Sequence, residues 1–229
     1  MIVTIDGPVA SGKTSVARAV AAELSWFCLL SGYLYRGVTY GLQYHLSYNE
    51  DQLKNPREKD ITAIIAMLQY EYINNSVTVT LHHDNITALL KSPTIDQMVS
   101  YISKVPFVRQ QLVVLQRHLL QLHENALAEG RDCGTTVFPQ ADLKIFLTAD
   151  AQVRAARWQH DQAKNGINLP IGECLKSITD RDMQDTHRAC SPLTVAAHAV
   201  VIDSSNKTFA ETVQTVVSMI KVNRSYHNN

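Results

Sequence analysis

The sequence predicts an α/β fold, a doubly wound parallel sheet with helices on both faces, and three observations carry that expectation. Short apolar runs of strand length recur as MIVTID, WFCLLS, ALAEGRD, LKIFLTAD and AHAVVIDSS, most of them followed by a helix-compatible stretch. That alternation is what crossover helices between parallel strands produce. A glycine-rich turn, Gly7 to Thr14, follows the first run with the spacing G-x-x-x-x-G-K-T. Finally, 229 residues suffice for one main domain, and a single long segment, 37 to 124, exceeds any simple crossover and reads as an insertion.

The first strand and its turn come first. MIVTID ends on β-branched and acidic residues, and TSVARAVAAEL after the turn is rich in good helix formers. Strand, glycine turn and helix in that order make a phosphate loop built from Gly7, Pro8, Val9, Ala10, Ser11, Gly12, Lys13, Thr14 and Ser15. Glycine lets the backbone approach an anion, and the helix N-terminus turns free N–H groups toward it. Lys13 is expected on the β- and γ-phosphates and Thr14 on Mg²⁺, with the amides of Ala10 to Ser15 around the β-phosphate. The donor is therefore a nucleoside triphosphate, and the loop is silent about the acceptor.

Inside the insertion, Val77, Val79 and Leu81 alternate with Thr78 and Thr80 just after Asn74-Asn75, the pattern of a small antiparallel ribbon. Two helices are expected after it. The second starts at Pro106, a favoured first helical position, and puts Val108, Leu112, Leu115, Leu119 and Leu122 on one stripe read as core.

EGRDCGTTVFP then leaves an apolar strand, so Arg131 and Asp132 stand at the C-terminal edge where open α/β sheets bind ligands. An arginine there can fork onto a phosphate; a capping aspartate with a partner arginine fits the same residues equally well. From 158 to 177 the chain turns polar, with Asn165-Gly166 and Pro170 as breakers, and reads as a surface hairpin of helices. Arg181, Asp185 and Arg188 follow at spacings of four and three, on one helix face, a pattern that an exposed ion-pair face also produces. FAETVQTVVSMIKV closes the chain as an amphipathic helix.

Composition narrows the partners. Lys+Arg and Asp+Glu are 21 each, which leaves no basic excess for nucleic acid or an anionic membrane. Cys28, Cys133, Cys174 and Cys190 stand far apart, without a zinc spacing, and read as free thiols in a reducing compartment. His82, His83 and His123 lack a second ligand set and read as packing or surface residues. No apolar stretch approaches the roughly 18 residues of a membrane span, and the N-terminus lacks signal-peptide character, so a cytoplasmic protein is expected.

Taken together, these segments resemble the bacterial cytidylate kinase family, nucleoside monophosphate kinases with the P-loop NTPase fold. The likeness runs from VTIDGPVASGKT to VVIDSS. It is most specific in EGRDCGTTVFPQADLKIFLTA, similar to GRD-x-GT-x-VFP-x-A-x-x-KIFL, and in RDMQDTHRACSPL, similar to RD-x-x-D-x-x-R-A-x-x-PL. SGYLYRGVT is similar to [ST]-G-x-x-YR, and LLKSPTIDQMVSYISKVPFVRQQL to the family's R-T-x-E-V…S…P-x-V-R helices.

The resemblance implies a monomeric transferase of pyrimidine nucleotide metabolism that passes the ATP γ-phosphate to CMP or dCMP. It implies a core of 1–36 and 125–229, a CMP-side insertion at 37–124 and a helical lid near 158–190. Ser31, Tyr35 and Arg36 would line the CMP phosphate and ribose, and Ser100, Arg109 and Asp132 would read cytosine. Arg131 and Arg188 would hold the transferring and accepting phosphates, Arg181 with Asp185 would reach the ribose hydroxyls, and Arg157 would serve ATP. Lys13, Arg131, Arg181 and Arg188 would be the catalytic set. The family's acid before [ST]-G is Leu30 here, its R-T-x-E-V arginine is Lys91 and the glutamate Thr94. Loss of an acid beside phosphates leaves two other readings open: a nucleotide-binding regulator on the same fold, or a kinase for another small acceptor.

Overall fold

The computed structural model describes residues 1–164 and 166–227; the expected breaker Asn165 lies outside them, whereas its neighbour Gly166 has the left-handed φ of 78° expected of a turn glycine. Along the chain the elements are β1 (Ile2–Asp6), α1 (Lys13–Leu24), β2 (Phe27–Leu30), α2 (Ser31–Tyr40), α3 (Glu50–Lys54), α4 (Glu58–Met67), β3 (Leu68–Ile73), β4 (Ser76–Leu81) and β5 (Asp84–Asn85). They continue with α5 (Pro93–Ile102), α6 (Pro106–Gln121), β6 (Ala126–Gly130), β7 (Leu143–Thr148), α7 (Ala151–Lys164), α8 (Ile171–His187), β8 (Val200–Asp203) and α9 (Phe209–His227). They sort into two compact units, one of Met1–Cys28 with the chain from Asn125 onward, the other Leu29–Glu124.

The first unit is built on a five-stranded sheet of order β2-β6-β1-β7-β8, in which β1 runs parallel to both β6 and β7, and β8 parallel to β7. All five strands are the apolar runs read from the sequence, so the α/β expectation holds. Val3, Thr4 and Ile5 are each 0% exposed, which requires cover on both faces of β1 and explains why its run does not alternate. Register sets Ile5 level with Glu129 and Asp6 level with Gly130, so both acids reach the C-terminal edge together. On one side α1 buries Val16, Ala17, Val20 and Ala21 and packs beside α9.

In the second unit, β3 and β4 form the expected hairpin and β5 adds a third antiparallel strand. Asn74 and Asn75 both take left-handed φ, 51° and 60°, the conformation of a type I′ turn, whose twist matches the strands it joins. Val77, Val79 and Leu81 are buried, as the alternation requires, whereas the two-residue β5 is too short to leave a periodic signal. The unit begins at Leu29 rather than at 37, so α2 belongs to it.

Two expectations need correction. On α6 the buried residues are Val108, Arg109, Leu112, Gln116 and Leu120, while Leu122, past the helix end, is 65% exposed. Leu115 and Leu119 are only half-buried. The buried face follows i, i+4 steps from Val108 and takes in two polar side chains that an apolar count passes over. Arg188 does not lie on the α8 face with Arg181 and Asp185: α8 ends at His187 and Arg188 is extended, with φ −64° and ψ 140°.

Candidate active site

Within the first unit the phosphate loop turns from β1 into α1 as the motif requires. A Cβ on Gly7 would meet the Leu147 carbonyl oxygen at 2.1 Å, and Gly12 caps α1 with a left-handed φ of 89°. No side chain caps α1 and no acid stands in its first turn, so its leading N–H groups are available to an anion. Val9, Ser11 and Lys13 are buried, while Thr14 and Ser15 are exposed.

Lys13 donates from Nζ to the Pro8 carbonyl at 2.8 Å and stands 3.9 Å from Glu129 Oε1. Burial, then the positive charge of Arg131, pushes its pKa down to about 7, against the pull of Glu129. Arg157 closes the outer side of the loop, with Nη1 donating to the Ser11 carbonyl at 3.3 Å and Nη2 to the Ser204 carbonyl at 2.8 Å.

At the adjoining strand edge, Asp185 of α8 gathers two arginines. Arg131 Nε donates to its Oδ2 at 2.8 Å, and Arg188 Nη1 lies 3.5 Å from its Oδ1. Arg188 Nη2 is 3.5 Å from Asp132 Oδ1, and its Nε is fixed by the Ser191 carbonyl at 2.6 Å. Arg131, Asp132, Asp185 and Arg188 thus form one cluster. Burial favours neutral forms, but Arg131 and Arg188 outweigh it at Asp185 and hold that carboxyl below its usual range. Asp185 and Glu129 likewise outweigh burial at Arg131 and hold its guanidinium above its usual value. Arg181 is near enough to act electrostatically on both Asp185 and Lys13. The arrangement is a set of fixed cations at the end of the phosphate loop, suited to stabilising spread negative charge.

The second unit holds the other acceptor candidates. Ser31 opens α2 and is 7% exposed, and the Arg109 guanidinium lies 5.3 Å from the Tyr35 ring centre. Arg109 is 2% exposed and donates to the Ser103 carbonyl at 2.9 Å. Arg36 is paired with Asp96 through Nη2 at 2.6 Å and Nε at 3.1 Å, and Ser100 donates to the Gln97 carbonyl at 2.7 Å. Leu30 is 1% exposed and its N–H donates to Tyr70 Oη at 3.0 Å, so its side chain is part of the unit's packing.

Glu129, Asp6, Arg154 and Asp182 were not among the sequence candidates. Asp6 Oδ1 and Oδ2 accept from Cys133 N at 2.9 Å and Gly134 N at 2.7 Å, and burial pushes its carboxyl up to about 6 despite those two bonds. Acids closing the apolar runs MIVTID and ALAEG were the available signal for Asp6 and Glu129. Among the described residues no cluster of three or more His, Cys, Asp or Glu side chains could hold a metal, and no helix is long and apolar enough to cross a membrane.

A family model described as cytidylate kinase matches residues 3–222. A cytidylate kinase from Colwellia psychrerythraea is 36% identical over 219 residues, covering 94% of each chain. One from Alkaliphilus metalliredigens is 36% identical over 215 residues, again covering 94% of both. A shikimate kinase structure from Bacteroides thetaiotaomicron superposes with a TM-score of 0.50 at 9% identity, covering 96% of this chain and 98% of that one, which bears on the fold alone.

Proposed function

Because the chain belongs to the cytidylate kinase family, we propose that Lys13, Arg131, Arg181 and Arg188 are the groups with which it moves a phosphoryl group from ATP to CMP. The chain is an ATP-dependent nucleoside monophosphate kinase, and no observation favours a non-catalytic role. The observation that carries the assignment is the cluster in which Asp185 holds Arg131 and Arg188.

The acceptor is already a phosphate oxygen, so the protein supplies alignment and charge rather than a general base. The loop of Gly7 to Ser15 takes ATP, with the amides from Ala10 onward facing the phosphates and Lys13 leaving the Pro8 carbonyl for the polyphosphate, and Arg157 stands by the loop for the rest of ATP. Arg131 and Arg188 neutralise the transferring and accepting phosphates, and Arg181 with Asp185 takes the ribose hydroxyls. Ser31, Tyr35, Arg36, Ser100, Arg109 and Asp132 hold the CMP phosphate, ribose and base. The helical lid of 158–190 excludes water and so suppresses ATP hydrolysis. dCMP is a second acceptor.

Mg²⁺ fits this site, because the exposed Thr14 hydroxyl and the Glu129 carboxylate near Lys13 are hard oxygen donors. When bound, it would offset charge on the β- and γ-phosphate oxygens, with Thr14 as direct ligand and Glu129 holding its water. Arg188→Met should lower kcat for CMP by about a hundredfold while the KM for ATP stays near wild type. Unchanged kcat would contradict the assignment. Asp185→Ala should narrow the preference for CMP over dCMP, read from the ratio of their kcat/KM values.

A further inference from the structure

Val9 sits in the middle of the phosphate loop, yet both its backbone groups are engaged by side chains of the α7–α8 hairpin. Its N–H donates to Asp182 Oδ1 at 2.8 Å, and its carbonyl accepts from Arg154 Nη1 at 2.9 Å. Arg154 and Asp182 are paired with each other at 2.5 Å, and Arg154 Nε donates to the Ala149 carbonyl at 3.0 Å. Their side chains are 11% and 17% exposed. A pair this dry is costly unless its polar atoms are consumed by hydrogen bonds, and here they are consumed by the loop and by each other.

Apolar contact runs parallel to these bonds. Val9 shares a buried cluster with Ala155 of α7 and Cys174 and Ile178 of α8, and Trp158 packs against it. The hairpin is therefore fastened to the loop by a polar and an apolar contact at one residue. Asp182 follows Arg181 in sequence and precedes Asp185 by less than one helical turn, so whatever fixes Asp182 fixes the position of both. Asp185 in turn holds Arg131.

We propose that the Arg154–Asp182 pair is a positioning device: it locks α8 to Val9, so that filling the phosphate loop with ATP sets Arg181 and Asp185 for the acceptor. This rests on the ATP and CMP roles proposed above. The Val9 amide is consequently not a phosphate ligand, and the anion is left to the amides from Ala10 onward. Neither residue of the pair touches substrate; they act through the loop backbone and the helix.

The test is calorimetric binding of CMP to the intact chain, with and without a non-hydrolysable ATP analogue and Mg²⁺, for wild type, Asp182→Asn and Arg154→Lys. Wild type should bind CMP at least about fivefold more tightly with the analogue present. Both variants should lose that enhancement, read as the ratio of CMP affinities with and without the analogue. Arg154→Lys keeps the charge while losing the planar fork in which Nη1 serves Val9 and Asp182 and Nε serves the Ala149 carbonyl, and it decides the matter if Asp182→Asn does not fold. The proposal is overturned if wild type shows no enhancement, or if the folded variants keep it and differ only in thermal midpoint. Failure of the kinase reading looks different: wild type then does not bind CMP at all.

Discussion

Lys13, proposed above for the donor side, is a buried amine whose pKa burial, and then Arg131, pushes down to about 7. A polyphosphate favours the charged form, so ATP binding at pH 8 should take up close to one proton, and at pH 6 close to none. Calorimetry in buffers of different ionisation heat measures this, and zero uptake at pH 8 would contradict the Lys13 role. Asp6 titrates in the opposite sense. Its carboxyl is raised from 3.8 to about 6, so the folded state binds its proton more tightly than the unfolded chain. Its contribution to stability is fully present below pH 3.8 and is lost, by about 3 kcal/mol, as pH rises through 6. Asp6→Asn should remove that part of the pH dependence, seen as a flatter urea-unfolding profile between pH 4 and 7. The loop residues proposed for phosphate were legible because the motif is local. Arg154 and Asp182 were not, because their partner Val9 lies 145 and 173 positions away in sequence.

Among the elements, β1 and its turn are the most constrained. Gly7→Ala would drive a Cβ to 2.1 Å from the Leu147 carbonyl, a backbone atom of β7 that cannot swing aside. Loss of ATP binding together with a lowered thermal midpoint is expected, and a variant with wild-type ATP affinity would contradict this packing. At the start of α2, Leu30 stands where the resembled family has an acid, with 1% exposure. Leu30→Asp would bury a carboxylate and should cost on the order of 3 kcal/mol in urea unfolding rather than raise activity. The five strands and the Asn74-Asn75 hairpin could be read because apolar runs and turn residues are near-neighbour signals. The buried face of α6 could not, since Arg109 and Gln116 are polar side chains whose burial depends on what packs against the helix.

For the whole molecule, equal numbers of acidic and basic residues mean that any affinity for phosphate must come from local placement, and the structure gathers paired charges at one sheet edge. Lys13, Glu129, Arg131 and Asp132 come from or beside two adjacent parallel strands, and α8 and the residue that follows it add Asp185 and Arg188. Strand order was the part of this that periodicity could not supply, because β6 is brought beside β1 from more than a hundred residues away. ADP release from ATP and Mg²⁺, followed in a coupled assay with and without CMP, tests the central claim most directly. Release that depends on CMP and is slight without it is the predicted result. A folded protein that releases ADP equally with and without CMP, or not at all with CMP or dCMP, would contradict the account.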